Sequence, residues 1–431
     1  MSESLLYCLI VLFGLAAIGT PIAYSIFIGA LTYLFHKEYD LALVSEQVLQ
    51  GLYESFVLLA VPLFIVAANI MNAGTISDRL LNFCVALVGR FRGGLGHVNI
   101  VASLIFSGMS GSAIADAAGI GKVIIEMMTK NNRYSPGFAA AITAASATIG
   151  PIIPPSIPMV LYALVSDTSI GYLFLGGILP GLIMGIFLMF MVAYKAKVNE
   201  FKSEDPVPLA KLPKITFEAI PALLLPVILL FGIYGGVTTP TEAAAVAAAY
   251  ALLLASFFYR SLSIKNLYEI ILNSSKSSAS VGLIIGGAII LNYIVASENI
   301  PNQIAGILDE IQITPLAFII SVNIILLILG CILDATTLIL VVIPLFIPSC
   351  ITLGIDLIHF GVVVVVNSMI GLITPPYGVL LFVINATTGI ALKDIIVEVL
   401  PFLSVLLIAL FGMVMFPDLI LWIPRMFGYN N

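Results

Sequence analysis

Charge is what this sequence has least of. Charged residues fill 9% of its 431 positions, where a soluble domain carries about a quarter. That scarcity excludes a soluble globular protein. It equally excludes a disordered chain, which stays unfolded because it is polar. A cationic face is missing too: 17 Lys and Arg stand against 23 Asp and Glu, a net charge of -6. Nucleic-acid binding through phosphate contacts therefore has no footing. The four cysteines, Cys8, Cys84, Cys331 and Cys350, form no CxxC pair, and His36, His97 and His359 lie far apart. A zinc or haem site lacks its ligand pattern, and the thiols read as free and buried.

What is present is apolar. Hydrophobic residues make up 61% of the chain, with a mean hydropathy of +1.17. One helical crossing of a bilayer needs about 20 apolar residues. Such runs follow one another at 5–35, 54–73, 95–115, 138–165, 170–194, 216–236, 239–259, 277–297, 315–333, 335–353, 357–387 and 394–423. This predicts an all-α polytopic membrane protein without a soluble domain. The opening run has no basic region ahead of it and is too long for a cleaved signal peptide. It reads as a membrane segment with a break near Gly19-Thr20-Pro21, either one broken helix or two. Segment 76–89 differs: Ile76, Leu80, Leu81, Cys84 and Leu87 mostly keep helical spacing around Asp78, Arg79 and Asn82, the pattern of an interfacial amphipathic helix.

One polar stretch, residues 195–215, divides the chain into near-equal halves, 1–194 and 216–431. It carries Lys195, Lys197, Lys202, Glu204, Asp205, Pro206, Lys211 and Lys214. The halves resemble each other. Gly150-Pro-Ile-Ile-Pro-Pro155 recurs as Gly371-Leu-Ile-Thr-Pro-Pro376, an offset of 221 that also takes Pro180 to Pro401. Doubled prolines in register point to an internal repeat of the kind transporters use.

Lys and Arg gather on cytoplasmic loops. Arg79, Arg90 and Arg92 precede the first half's Gly/Ser-rich segment, Lys130 and Arg133 follow it, and the linker adds more. These share one side if residues 95–130 enter and return as a hairpin. A broken helix (138–165) and a further crossing then lead to the linker. In the second half no Lys or Arg lies between Ser277 and Leu392. Segment 277–297 leaves the cytoplasm, so a hairpin at 315–353 opens from outside, followed by a broken helix at 357–387. The expectation is two inverted repeats, each with a re-entrant hairpin and a broken helix.

The chemistry-bearing residues sit at these breaks. Ser107-Gly-Met-Ser110-Gly111-Ser112-Ala-Ile-Ala-Asp116 interrupts an apolar run with small and hydroxyl residues and ends in a carboxylate. Irregular backbone at membrane depth is tolerated only in protein or beside a cavity, and the carbonyls and hydroxyls it frees suit a hard cation. Gly330-Cys-Ile-Leu-Asp334-Ala335-Thr336-Thr337 is its mate. A charge at a membrane helix centre costs roughly 2.5–3.5 kcal/mol, which makes Asp334 a functional candidate. The proline breaks add Thr143, Ser146, Thr148, Gly150 and Ser156 in one half, and Asn367, Ser368, Gly371 and Thr374 in the other. A discontinuous helix offers a positive end to an anion and free carbonyls to a cation. Thr239-Pro-Thr-Glu242 reads as a helix cap. Gly108-Met-Ser110-Gly111 matches a GxSG pattern that resembles rhomboid-type intramembrane proteases; His359 is its one plausible base, and the second hairpin would go unexplained.

At this level of detail the chain resembles a family: the large membrane subunit of tripartite ATP-independent periplasmic (TRAP) transporters. The resemblance rests on Ser110–Asp116, on Tyr134-Ser-Pro-Gly-Phe-Ala-Ala-Ala-Ile-Thr-Ala-Ala-Ser146 running into Gly150–Pro158, on Thr239–Val246, and on Asp334 with Thr374-Pro-Pro376. It implies a secondary transporter of the bacterial inner membrane. A periplasmic binding protein delivers an organic anion such as sialic acid or a C4-dicarboxylate, a small four-helix subunit pairs with the chain, and a sodium gradient, about two ions, drives import. The implied fold is elevator-type, a scaffold with a mobile transport domain. The implied substrate residues are Ser110, Ser112, Ser156, Asp334 and Thr336. The implied sodium residues are Ser110, Gly111, Ser146, Thr148, Gly150, Asp334, Ala335, Thr337, Gly371 and Thr374. No enzymatic activity is expected. A stand-alone anion symporter is the alternative.

Overall fold

The computed structural model describes residues 2–72, 75–201, 203 and 207–430. Lys202, Glu204, Asp205 and Pro206 of the polar stretch lie outside the described residues. Hydrocarbon offers backbone amides no partner, so the chain satisfies them within helices. Among the described residues a single bridge, Arg92 to Ser203, is the only extended pairing.

The chain opens with α1 (Glu3–Ala17) and α2 (Ile22–His36). Gly19, at φ 89°, ends the first helix, and Pro21 leads into the second. The Ser4 hydroxyl lies 3.2 Å from His36 Nδ1, and Gly29 rests on the Cys8 carbonyl. The two helices are therefore antiparallel, so of the two arrangements open to 5–35, one broken helix or two helices, it takes the second. Each has 15 residues, about 22 Å at 1.5 Å per residue. Next come α3 (Ala42–Glu54) and α4 (Ala60–Met71), bent by 76° at their junction. The run at 54–73 is thus one arm of a bent pair. The amphipathic α5 (Thr75–Val88) buries Ile76, Leu80, Leu81 and Cys84 against α6 (Gly94–Ser110) and, further along, α12 (Leu212–Tyr234).

The first hairpin is α6, α7 (Ala113–Asp116), a π-helical turn (Ala117–Gly121) and α8 (Lys122–Thr129). Asn99, early in α6, meets Met128, late in α8, so the arms are antiparallel. The following α9 (Pro136–Ala147) and α10 (Ile157–Ser166) are the halves of a broken helix. Pro151, Pro154 and Pro155 cannot donate, so the ladder stops, and Ser156 restarts it by accepting from the Met159 amide. α11 (Ile170–Val198) runs into the polar stretch. After α12 come α13 (Pro240–Leu253) and α14 (Ile264–Ser297). At 34 residues, α14 starts well before the apolar run at 277, because the Ser263 cap begins the helix in polar sequence.

Beyond the amphipathic α15 (Ile300–Ile311), the second hairpin is α16 (Pro315–Gly330), α17 (Ala335–Thr337), a π-helical turn (Leu338–Val342) and α18 (Ile347–Thr352). Its arms are antiparallel, Phe318 facing Phe346. The second broken helix is α19 (Leu357–Gly371) and α20 (Val379–Thr388). The chain closes with α21 (Leu392–Met415) and α22 (Asp418–Met426). The run at 394–423 is therefore two helices, separated at Pro417. Among the described residues five helices are long and apolar enough to cross a membrane, six if the bent pair counts as one span. This is a multi-pass, all-helical membrane protein.

The helices form two groups. In one, Ala243, Ala244, Ala247 and Ala251 of α13 are buried, and such small side chains let α4 approach closely. The capping box of Thr239 and Glu242 forms as the sequence predicts. α14 crosses α2, α3 and α4, tied by Tyr33 to Ser297 (3.2 Å) and Glu298 (2.8 Å) and by Lys37 to Glu298 (2.9 Å). The other group holds both hairpins, both broken helices, α11, α21 and α22. Its broken helices cross where Gly361 leaves room for the Tyr162 ring. The Tyr162 hydroxyl donates to the Leu357 carbonyl at 2.7 Å.

Candidate functional site

The offset of 221 found in the sequence recurs in the geometry. The two π-helical turns, which often mark functional sites, begin at Ala117 and Leu338. Four residues before each break glycine stands Ser146 or Asn367. Each is bonded to an asparagine of its hairpin. The Ser146 hydroxyl donates to Asn99 Oδ1 at 3.0 Å, and Asn367 Nδ2 donates to Asn323 Oδ1 at 2.7 Å. These polar pairs are buried and lock each hairpin to its broken helix.

Each tip also rests on its break through glycine. At Gly111 the chain turns left-handed, φ 59°, and a Cβ there would stand 2.6 Å from the Pro155 carbonyl. Gly330 and Gly371 meet backbone to backbone, so that a Cβ on either would lie within 3.2 Å of the other's Cα. Only glycine allows so close an approach.

The tips converge on a cavity of about 220 Å³. One wall is Ser110, Gly111 and Ser112. A second is Asp334, Ala335 and Thr336. The first break contributes Pro151, Ile157 and Pro158, and α19 contributes Met369. The facing wall belongs to the other helix group: Ile65, Ala68 and Asn69 of α4, with Ser277 and Val281 of α14. Asn69 donates to Ser274 at 2.8 Å, which fixes this wall. Among the described residues no Lys or Arg side chain lines the cavity.

Asp334 caps α17. Its Oδ2 accepts from the Thr336 and Thr337 amides at 2.9 and 3.2 Å, and its Oδ1 accepts from the Thr337 hydroxyl at 2.5 Å. Ser112 caps α7, accepting from the Ala115 amide at 3.4 Å. Asp116 stands one turn deeper and is 2% exposed. It lies against Gly150, where a Cβ would sit 2.5 Å from Oδ2. The Ser110 hydroxyl is close enough to interact with it, yet neither carboxylate oxygen meets a donor in hydrogen-bond geometry.

Six of the sequence-selected residues therefore share the cavity wall: Ser110, Gly111, Ser112, Asp334, Ala335 and Thr336. The others do not line it. Ser156 is fully buried, its hydroxyl donating to the Pro151 carbonyl. Ser146 is spent on Asn99. Thr148 and Thr374 donate to the carbonyls of Ala145 and Ile370 at 2.7 and 2.8 Å. Thr337 is spent on Asp334. Gly150 and Gly371 are packing points, one against Asp116 and one against Gly330. Asp116 was legible as the end of the Ser/Gly motif, but nothing in the sequence placed its carboxylate beside the break. Asn69 is a lone amide in the apolar α4, and Ser277 is one of several serines in the polar stretch 273–280 of α14; sequence reasoning tied neither to the site.

The donor set is oxygen only. Among the described residues no cluster of three or more His, Cys, Asp or Glu side chains could hold a metal. Carboxylate, hydroxyl and freed carbonyl oxygens suit an alkali cation. His359 neither lines the cavity nor is free to act as a base, because its Nε2 pairs with the Met413 carbonyl at 2.9 Å. The protease reading of Ser110 thus lacks its partner.

Residues 9–419 match the family model described as the DctM component of tripartite ATP-independent periplasmic transporters. A sialic acid TRAP transporter large permease protein of Vibrio cholerae is 40% identical over 97% of this chain and 98% of its own. A C4-dicarboxylate TRAP transporter large permease protein of the same species is 35% identical over 99% and 98%. A 2,3-diketo-L-gulonate TRAP transporter large permease protein of Escherichia coli is 35% identical over 95% and 96%. Among solved structures, the YdaH transporter of Alcanivorax borkumensis superposes with a TM-score of 0.62 at 15% identity, covering 98% of both chains. That likeness concerns the fold alone.

Proposed function

The chain belongs to the DctM component family of tripartite ATP-independent periplasmic transporters, and from that premise we propose that it is the permease of a sodium-coupled importer of an organic acid anion. It is a transport protein, not an enzyme. The substrate is sialic acid, a C4-dicarboxylate or a similar acid, handed over by a periplasmic binding protein. A small four-helix subunit completes the permease in the bacterial inner membrane.

The cavity carries this reading. Both hairpin tips and the start of α10 meet there, against α4 and α14. With no cationic side chain in its wall among the described residues, an anion gains its counter-charge from helix N-termini and from co-transported cations. Asp116, Ser110 and the break carbonyls are the oxygens for one such ion. Asp334 repels a carboxylate and suits a substrate hydroxyl or amine, or a cation. The group of hairpins and broken helices moves as one body against the α4–α13–α14 scaffold.

The test is uptake by proteoliposomes holding the permease with its small subunit. Labelled sialic acid or C4-dicarboxylate is expected to accumulate only with the binding protein outside and an inward sodium gradient. Equal uptake in potassium would remove sodium. Uptake without the binding protein would favour a stand-alone symporter.

The repeats are inverted in the proposed topology. In cells expressing a variant with Cys331 replaced by alanine, an impermeant maleimide applied from outside is expected to label Asn302→Cys and not Asn131→Cys. Both positions are exposed loop or helix-end sites. Equal labelling of the two would overturn the inverted arrangement.

A further inference from the structure

A second cavity, of about 480 Å³, lies between the α5–α6 connection and α11, away from the hairpin tips. Its floor is apolar: Val88, Ile186, Met189 and Phe190. Ile186 and Phe190 are 49% and 71% exposed, so the floor faces outward from the helix bundle. Its mouth is polar, with Arg92 and His97 beside Phe91.

The mouth is held in shape. Gly93 lies flat on α11, where a Cβ would come within 2.7 Å of the Ala196 side chain. Arg92 Nε donates to the Phe201 carbonyl at 3.3 Å, which fixes the guanidinium without neutralising it. Arg90 stands over the Phe91 ring, 5.5 Å from its centroid. Neither arginine has a carboxylate partner among the described residues. On α11, Ile186, Phe190, Ala193 and Lys197 follow at helical spacing and share one face. An apolar stripe thus ends in a third cation. By the charge distribution of the loops, this end of α11 is cytoplasmic.

An outward apolar trough with Arg92 at its mouth, and with Arg90 and Lys197 on the two elements that form it, none of the three in an ion pair among the described residues, matches one occupant by charge and by shape. We propose that this groove binds an anionic phospholipid of the cytoplasmic leaflet, its acyl chain along Ile186 and Phe190 and its phosphate between Arg90, Arg92 and Lys197. A basic residue near an anionic membrane surface contributes about 1 kcal/mol, or roughly fivefold in affinity for each. The site is separate from the transport cavity and does not depend on the substrate assignment.

Native mass spectrometry of the delipidated complex, titrated with phosphatidylglycerol or phosphatidylcholine of identical chains, tests this. Phosphatidylglycerol is expected to bind at least tenfold more tightly. The double variant R90Q/R92Q is expected to lose that preference, about 25-fold, and to bind phosphatidylcholine unchanged. Phe190→Ala is expected to weaken both lipids, and Lys130→Gln, in the hairpin's exit loop, neither. Thermal midpoints report whether each variant folds. An undiminished preference in a folded R90Q/R92Q would overturn the site. So would loss of both lipids together in that variant, which would make the groove a slot without headgroup selectivity. Competition by soluble glycerol phosphate at the lipid's own affinity would overturn the lipid as occupant.

Discussion

Asparagine at position 334 is expected to leave the permease folded and to reduce sodium-driven uptake at least tenfold. Asp334 does two jobs, and this substitution separates them. As the cap of α17 it accepts from two amides and one hydroxyl. Asparagine caps about as well as aspartate. Its carbonyl can take the two amides, and its NH₂ can donate to Thr337, whose hydroxyl then accepts. What asparagine cannot supply is the negative charge in the cavity wall. Alanine removes both and adds a capping loss of about 0.5–2 kcal/mol. Comparing Asp334→Asn with Asp334→Ala in uptake and in thermal midpoint therefore reads charge against structure. Near-normal uptake by the asparagine variant would reduce Asp334 to a cap.

Asp116→Asn is expected to abolish the stabilisation that sodium gives. The carboxylate is buried against Gly150 without a hydrogen-bond donor, and an uncompensated buried charge costs several kcal/mol. A cation held there repays that cost. Thermal unfolding in sodium, potassium and choline chloride at equal ionic strength reads the effect. A ligand bound only to the folded state adds about 2.7 kcal/mol at a hundred times its Kd. The wild type should gain this in sodium alone. The asparagine variant should match or exceed the wild type in potassium, because the buried charge is gone, and gain nothing from sodium. A full sodium gain in the variant would exclude Asp116 as a ligand. A wild type indifferent to sodium would withdraw the sodium assignment from this chain.

Much of this protein could be read in one dimension. Apolar runs of bilayer length leave the backbone no choice but helix, because only helices satisfy their own amides in hydrocarbon. The paired prolines stop α9 and α19 wherever they are placed, since proline cannot donate. Thr239, Pro240 and Glu242 act within one helical turn, so their cap was local and visible. The hairpin tips were visible too, as glycines and hydroxyls breaking an apolar run.

Where apolar runs begin and end was less legible, because hydropathy does not distinguish a broken helix from two antiparallel ones. Leu5 to Phe35 is equally apolar in both arrangements, and it is the tertiary contacts, Ser4 with His36 and Gly29 with Cys8, that separate them. Nor does hydropathy end a helix at its polar margin, so α14 extends back to Ile264.

The site divides along the same line. Residue types and the offset of 221 marked which segments carry chemistry. Only the tertiary structure chose, within each segment, the atoms that face the cavity. It directs Ser110, Ser112, Asp334 and Thr336 toward it, while Ser146, Thr148, Ser156 and Thr374 spend their hydroxyls on nearby partners. It also brings Asp116 to Gly150 and adds Asn69 of α4 and Ser277 of α14 to the wall. The physical reason is range. Helix formation, capping and proline breaks are settled within a few residues of sequence. A cavity is settled by which surfaces meet after packing, and Gly330 meets Gly371 only once the second hairpin has closed on its broken helix.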